Sequence, residues 1–180
     1  EGAKPRGAVY EAQLGGPQLT VQRFAPFATG LRNSMALAVL PATPEAKEGR
    51  VLQGENSIDY RDPNSPPEEL NLLQRGRHYG WPYCVGARRN AQGYEGRYDC
   101  SRTEAPLALW PAHAAPLQML LGPAGTAFAG QLLVAWRGPQ ASGHRVVGFR
   151  LGKDGLAAGK PIDWLAGWHA QEGVRPMGRP

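Results

Sequence analysis

Apolar and polar residues alternate along Gly7 to Leu14 (GAVYEAQL) and again along Leu19 to Phe27 (LTVQRFAPF), with Gly15-Gly16-Pro17 between the two runs. Alternation interrupted by a Gly-Pro break predicts a β-hairpin. Ala28 to Ser34 reads as a turn and Met35 to Leu40 as an apolar strand. After a polar loop over Pro41 to Gly49, Arg50 to Gln53 reads as a short strand. Gly54 to Pro67 (GENSIDYRDPNSPP) is an acidic excursion rich in Asn and Pro. Loops of that length inside a compact domain are usually functional or disordered. Further on, Leu107 to Trp110 and Leu117 to Leu121 are short apolar runs flanking the turn region Pro111 to Pro116. Gln131 to Trp136 (QLLVAW) and His144 to Leu151 (HRVVGFRL) predict a strand pair, followed by the turn Gly152-Lys153-Asp154-Gly155 and a last strand over Pro161 to Trp168.

The stretch Pro66 to Gly86 (PPEELNLLQRGRHYGWPYCVG) concentrates carboxylates, an Asn, a Gly turn, aromatic residues and a cysteine. Ser65-Pro66-Pro67-Glu68 has the letters of a helix start, with a hydroxyl cap and prolines where the N–H groups would be orphaned. The same letters fit a Pro turn feeding a strand over Glu69 to Leu73, a Gly turn at Arg75-Gly76 and a second strand near His78 to Trp81. For so short a run periodicity leaves both open.

In 180 residues, 42% are hydrophobic and 19% charged, the balance of a globular domain. The 24 Gly and 17 Pro are spread along the chain, which points to many short elements joined by turns and so to an all-β fold. The net charge of +5 comes from scattered basic residues, mostly Arg, with no basic stripe interleaved with aromatics, which argues against nucleic-acid binding. No apolar run reaches the roughly 20 residues needed to span a bilayer. The first residue is not Met and no signal sequence is visible, which fits a processed or shortened N-terminus. Cys84 and Cys100 bracket a polar loop rich in Gly and Arg. Paired, they would stabilise the fold by about 3 kcal/mol and indicate an oxidising compartment, periplasmic or secreted; two free thiols in a cytosolic protein are the alternative. No C-x-x-C or close His pair accompanies them to suggest zinc.

E-L-N at Glu69 to Asn71, a spacer with Gly76, then Y-G-W-P at Tyr79 to Pro82 resembles the corresponding stretch of the soluble glucose/sorbosone dehydrogenase family. Its members are six-bladed β-propellers that use pyrroloquinoline quinone (PQQ) and calcium. The resemblance selects the strand over the helix for Glu69 to Leu73. It also covers G-L-R-N at Gly30 to Asn33, the Pro-x-His-x-Ala-Pro turn at Pro111 to Pro116 with Ala114 in place of serine, Q-L-L-V-A-W-R-G at Gln131 to Gly138, and the closing G-R-P. At about 40–45 residues per blade the chain would hold roughly four blades, half to two-thirds of such a ring, as one partial propeller domain over residues 1–180.

The resemblance implies quinone contacts at Arg32 and Asn33, at Arg179 and at Arg137. A guanidinium forks onto carboxylate or ortho-quinone oxygens, and an amide both donates and accepts. It implies calcium held by Glu69 and by oxygens of the preceding loop, for which Gly54-Glu55-Asn56-Ser57 and Asp62-Pro63-Asn64-Ser65 compete. A hard cation takes six to eight such oxygens. The implied reaction is hydride transfer from a sugar hydroxyl or hemiacetal to the quinone, with electrons passed to an external acceptor. The family's general base is a histidine ahead of G-L-R-N, and this chain has no histidine before His78. His113 is a conceivable substitute, His78 reads as a packing partner, and His144 and His169 read as strand-edge and surface residues. Trp136 stands where a His is usual. A non-catalytic shortened propeller, a binding or structural subunit completed by another chain, is the competing expectation.

Overall fold

A computed structural model describes residues 4–42, 47 and 49–167, and the architecture is all-β apart from one three-residue 3-10 turn, Cys100–Arg102. β1 (Ala8–Gly15) and β2 (Thr20–Thr29) form the expected antiparallel hairpin, each reaching a residue or two beyond its alternating run. Next comes a four-stranded antiparallel sheet in the order β3 (Ala36–Leu40), β4 (Arg50–Glu55), β5 (Glu68–Leu73), β8 (Ala108–Trp110). Between β5 and β8 the chain makes a small hairpin, β6 (Cys84–Val85) and β7 (Arg89–Asn90). The second four-stranded sheet is a meander of β9 (Pro116–Leu121), β10 (Gln131–Trp136), β11 (Arg145–Leu151) and β12 (Ala157–Leu165).

Glu68–Leu73 is therefore a strand, paired with β4 on one side and β8 on the other. The second strand expected near His78 to Trp81 does not form. His78 makes only a single parallel bridge to Thr29, and Gly80, at φ 109°, turns the chain against Cys84 before Pro82. Where roughly four blades are expected, the described residues form two four-stranded sheets and two two-stranded hairpins. The described sheets do not close into a ring.

The two large sheets pack face to face. Along β3, Ala36, Ala38 and Leu40 are buried while Leu37 and Val39 are exposed, the period of two that a one-sided core demands. Small residues on β3 let it lie close to β9, and bulk is placed further out: Trp110 on β8 stacks on Phe149 of β11 at 5.5 Å, with Trp136 of β10 edge-on at 5.9 Å. Small first strands and large outer side chains make the pair of sheets wedge-like. Gly54 sits near the end of β4, where a Cβ would meet Ala36, Pro116 and the Trp110 ring at 3.1–3.3 Å. A smaller cluster of Ala28, Leu31, Leu73 and Tyr79 joins the β1–β2 hairpin to the first sheet. Among the described residues no helix is long and apolar enough to cross a membrane.

Candidate functional site

The turn from β2 into β3 carries Gly30-Leu31-Arg32-Asn33. Gly30 has φ 73°, and a Cβ there would lie 2.5 Å from the His78 imidazole and 2.8 Å from the Gly80 nitrogen, so the turn needs glycine. Leu31 anchors the turn in the smaller core. The backbone N–H groups of Arg32 and Asn33 then donate to one carboxylate, that of Glu55, at 3.1 and 2.7 Å. The Arg32 side chain donates through Nη1 to the carbonyls of Asn56 and Ser57 at 2.8 and 2.7 Å, and its guanidinium lies 5.7 Å from the Trp81 ring. Its Nε and Nη2 edge has no partner among the described residues.

Glu55 belongs to a buried polar row. In antiparallel register Gln53 faces Asn71 and Glu55 faces Glu69, so two carboxylates sit directly opposite each other across β4 and β5. Gln53 donates to Glu55 at 3.2 Å and accepts from Asn71 Nδ2 at 2.9 Å; the same Asn71 amide donates to Glu69 at 3.2 Å. Glu69 also accepts from the Gly86 N–H at 2.5 Å. Glu68, on the other side of β5, accepts from Ser57 N–H at 2.5 Å and Ala115 N–H at 3.1 Å. Glu55, Glu68 and Glu69 are 6%, 2% and 5% exposed. Burial pushes each carboxyl from 4.5 up to about 7, with mutual repulsion adding to the rise at Glu68 and Glu69 and hydrogen bonds opposing it. Asn71 Oδ1 is buried with no hydrogen-bond partner.

Gly30, Arg32, Glu55, Ser57, Glu69 and Tyr79 are among the residues around a small cavity with about 10 Å³ of room, the size of one water or one ion. Beside it, on the far side of Val85, opens a polar cleft of about 680 Å³ between the excursion at Asp59 to Ser65 and the cysteine loop. Cys84 and Cys100 are joined in a disulfide with Cα atoms 5.8 Å apart, closing that loop.

The expected residues are thus divided. Arg32, Asn33, Glu55 and Glu69 come together. Gly54 lies inside the β4 ladder rather than in a loop. Asp62 is on the exposed excursion and lines the large cleft, and Pro63 is exposed beside it. Arg137 follows β10 and is exposed, its N–H donating to Ala115 O at 3.1 Å. Arg179 and His169 lie outside the described residues. His113 is nearly buried, with Nδ1 3.1 Å from the Asp59 carboxylate and Nε2 3.2 Å from the Asp62 carbonyl, so both ring nitrogens are engaged in holding the excursion. His78 accepts from the Gly80 N–H at 3.0 Å, and burial pushes its imidazole pKa down. His144 is buried immediately ahead of β11 and bonds the Pro139 carbonyl at 3.1 Å. Trp136 is 2% exposed in the main core.

Glu69 is legible as a site residue in the sequence, whereas its partnership with Glu55 and the third carboxylate, Glu68, are not. The available signal was the pair of polar steps Gln53-x-Glu55 and Glu69-x-Asn71 in strands otherwise buried on both faces. Among the described residues no three His, Cys, Asp or Glu side chains converge in metal-binding geometry. Any cation here would therefore rely on carbonyl, amide or water oxygens as well.

No protein-family model matches the chain, and no curated protein matches it. Solved structures do. The calcium structure of a Trichoderma reesei carbohydrate-active enzyme of family AA12 is 19% identical, with a TM-score of 0.60 over 77% of this chain and 41% of that one. A glucose dehydrogenase is 22% identical, with a TM-score of 0.52 over 76% of this chain and 36% of that one. The apo soluble aldose sugar dehydrogenase of Escherichia coli is 19% identical at a TM-score of 0.49, too loose a match to carry weight. This chain spans about 36–42% of the length of the chains it matches. At these identities the likeness is one of fold: antiparallel sheets arranged as they are in part of those larger chains.

Proposed function

We propose that residues 1–180 form part of a β-propeller of the sugar-oxidising quinoprotein type, contributing one corner of a cofactor and cation site. The observation that carries this is the anchoring of the Arg32–Asn33 turn on the Glu55 carboxylate, which faces a second buried carboxylate, Glu69. Like charges directly opposite across a strand pair destabilise a sheet. Two such carboxylates in the dark of a core call for a proton or a cation between them, and an ion-sized cavity lined by both supplies the place.

Calcium fits this donor set. Glu55 and Glu69 would hold it, and the unpartnered Asn71 Oδ1 is a further hard oxygen in the same polar row. The Asn56 and Ser57 carbonyls, candidates on sequence, already accept from Arg32. A planar quinone bearing carboxylates fits the unpartnered Nε and Nη2 edge of Arg32, which lies beside the Trp81 ring. The ion-sized cavity has no space for such a group, so residues beyond this corner would enclose it. Bound, the quinone supplies the hydride acceptor. The chain's own share is to fix the Arg32 guanidinium by two carbonyls and the turn by one carboxylate, so that the free edge keeps one direction.

No described histidine is placed to take the substrate's proton, since both nitrogens of His113 are engaged and Trp136 is core. That favours a second reading for the isolated chain: a propeller portion that binds without turning over, completed by other blades, from the same or another chain. The periplasmic or secreted setting is proposed on the disulfide. Titration of the purified chain with PQQ and Ca²⁺, read by quinone absorbance and by dye reduction with aldoses, tests both. Quinone binding abolished by Arg32→Ala supports the cofactor corner, and turnover would further require a proton acceptor. Unchanged quinone spectra at all calcium concentrations would sink it.

A further inference from the structure

The cofactor corner leaves the larger cleft unused. Its walls are the excursion, with Tyr60, Arg61 and Asp62, and the cysteine loop, with Arg89, Asn90 and Glu95. Both walls are fixed from behind. His113 holds Asp59 and the Asp62 carbonyl, the Gln92 N–H donates to the Tyr60 hydroxyl at 2.8 Å to tie one wall to the other, and the Cys84–Cys100 disulfide closes the loop. Tyr83, just ahead of that loop, stacks on Tyr98 within it with ring centroids 5.3 Å apart, and Tyr94 meets Tyr83 edge-on at 5.3 Å. Loop backbones held this way lose little freedom on binding.

Some of the polar groups facing the cleft are engaged, with Asp59 bonded to His113, Asp62 Oδ1 accepting from the Asn64 N–H and Glu95 Oε1 from the Gly93 N–H, and others are open. The side chains of Arg61 and Arg89 have no hydrogen bond or ion pair among the described residues. Asn90 donates through Nδ2 to the Tyr98 carbonyl at 3.0 Å, which leaves its Oδ1 open. Guanidinium, amide and carboxylate groups interleaved in one wall match adjacent hydroxyls, each of which both donates and accepts. Three carboxylates (Asp59, Asp62, Glu95) against two guanidiniums leave the lining slightly negative, which disfavours an anionic ligand. A volume of about 680 Å³ is in the range of a drug-sized ligand, enough for about two sugar rings.

We propose that this cleft binds a neutral oligosaccharide, as a subsite that continues outward past Val85 from the cofactor corner and makes the protein act on chains rather than on free monosaccharides. The inference rests on the sugar-oxidising reading above for the nature of its ligand, and its binding step is independent of quinone.

The test is calorimetric titration of the purified chain at pH 7 with cello-, xylo- and maltotetraose, with glucose, and with trigalacturonate. At least one neutral tetrasaccharide binds, at least fivefold more tightly than glucose or the acidic trimer. The double variant Arg61→Ala/Arg89→Ala weakens that binding at least fivefold while the thermal midpoint stays unchanged, because both side chains are exposed and unpartnered. Failure of all three tetrasaccharides, tighter binding of the acidic trimer, or an unaffected double variant overturns the proposal. Quinone absorbance measured on the same samples separates the two readings: oligosaccharide binding without quinone binding removes the cofactor corner and keeps the cleft, and the reverse removes only the cleft.

Discussion

At the scale of the residue, the account turns on carboxylates placed where water cannot reach them. Glu55 and Glu69 face each other with pKa values raised from 4.5 to about 7, chiefly by burial. The folded protein therefore holds more protons than the unfolded chain between about pH 4.5 and 7. The stability these groups contribute is fully present below the lower value and is lost as pH rises through the upper one. In the presence of a chelator, the denaturant midpoint should fall from pH 5 to pH 7.5, and Glu55→Gln should flatten that fall. Gly54 carries a different constraint at the same scale. A methyl group added there meets Ala36, Pro116 and Trp110 within 3.1–3.3 Å, so Gly54→Ala should cost about 1–3 kcal/mol in chemical denaturation.

At the scale of the element, most strands were legible because their pattern is local: β3 reads as a short apolar run, and β10 with β11 as a pair bounded by turn residues. Leu109 and Leu120 stay exposed all the same, so alternation located the strands without saying which face would find a partner. The strand expected at His78 to Trp81 does not extend beyond one bridge: Arg77, Tyr79 and Trp81 bond the backbone of residues 29–30, and Gly80 turns the chain before Pro82. The polar row was illegible for the opposite reason. It exists only once β4 and β5 are in register, and register is a tertiary fact that Gln53, Glu55, Glu69 and Asn71 do not announce one by one. The role of Gly54 was misplaced likewise, since the sheet that crowds it begins some 60 residues later at Pro116. The cysteine loop gives this scale its prediction. Removing the disulfide with Cys84→Ala/Cys100→Ala should cost about 3 kcal/mol, and limited proteolysis should then cut between residues 84 and 100 while sparing the strand pairs.

At the scale of the whole molecule, two wedge-like sheets share one aromatic-lined core, with a hairpin attached at the second cluster. Trp136, which occupies a position expected for a polar ring, is part of that core, and Trp136→Ala should cost about 3–5 kcal/mol in a two-state unfolding measurement. Exposed large hydrophobic side chains include Leu37 and Val39 on β3 and Leu14, Val21 and Phe24 on the hairpin. The proposed function comes down to whether the buried carboxylate pair takes a cation. Thermal unfolding at pH 8, with and without millimolar Ca²⁺, measures this directly. At calcium about 100-fold over its dissociation constant, the stabilisation is about 2.7 kcal/mol, or roughly 5–10 °C for a chain of this size, and it should be absent in Glu69→Gln. A wild-type midpoint that does not move with calcium, or that moves equally in Glu69→Gln, would contradict the account.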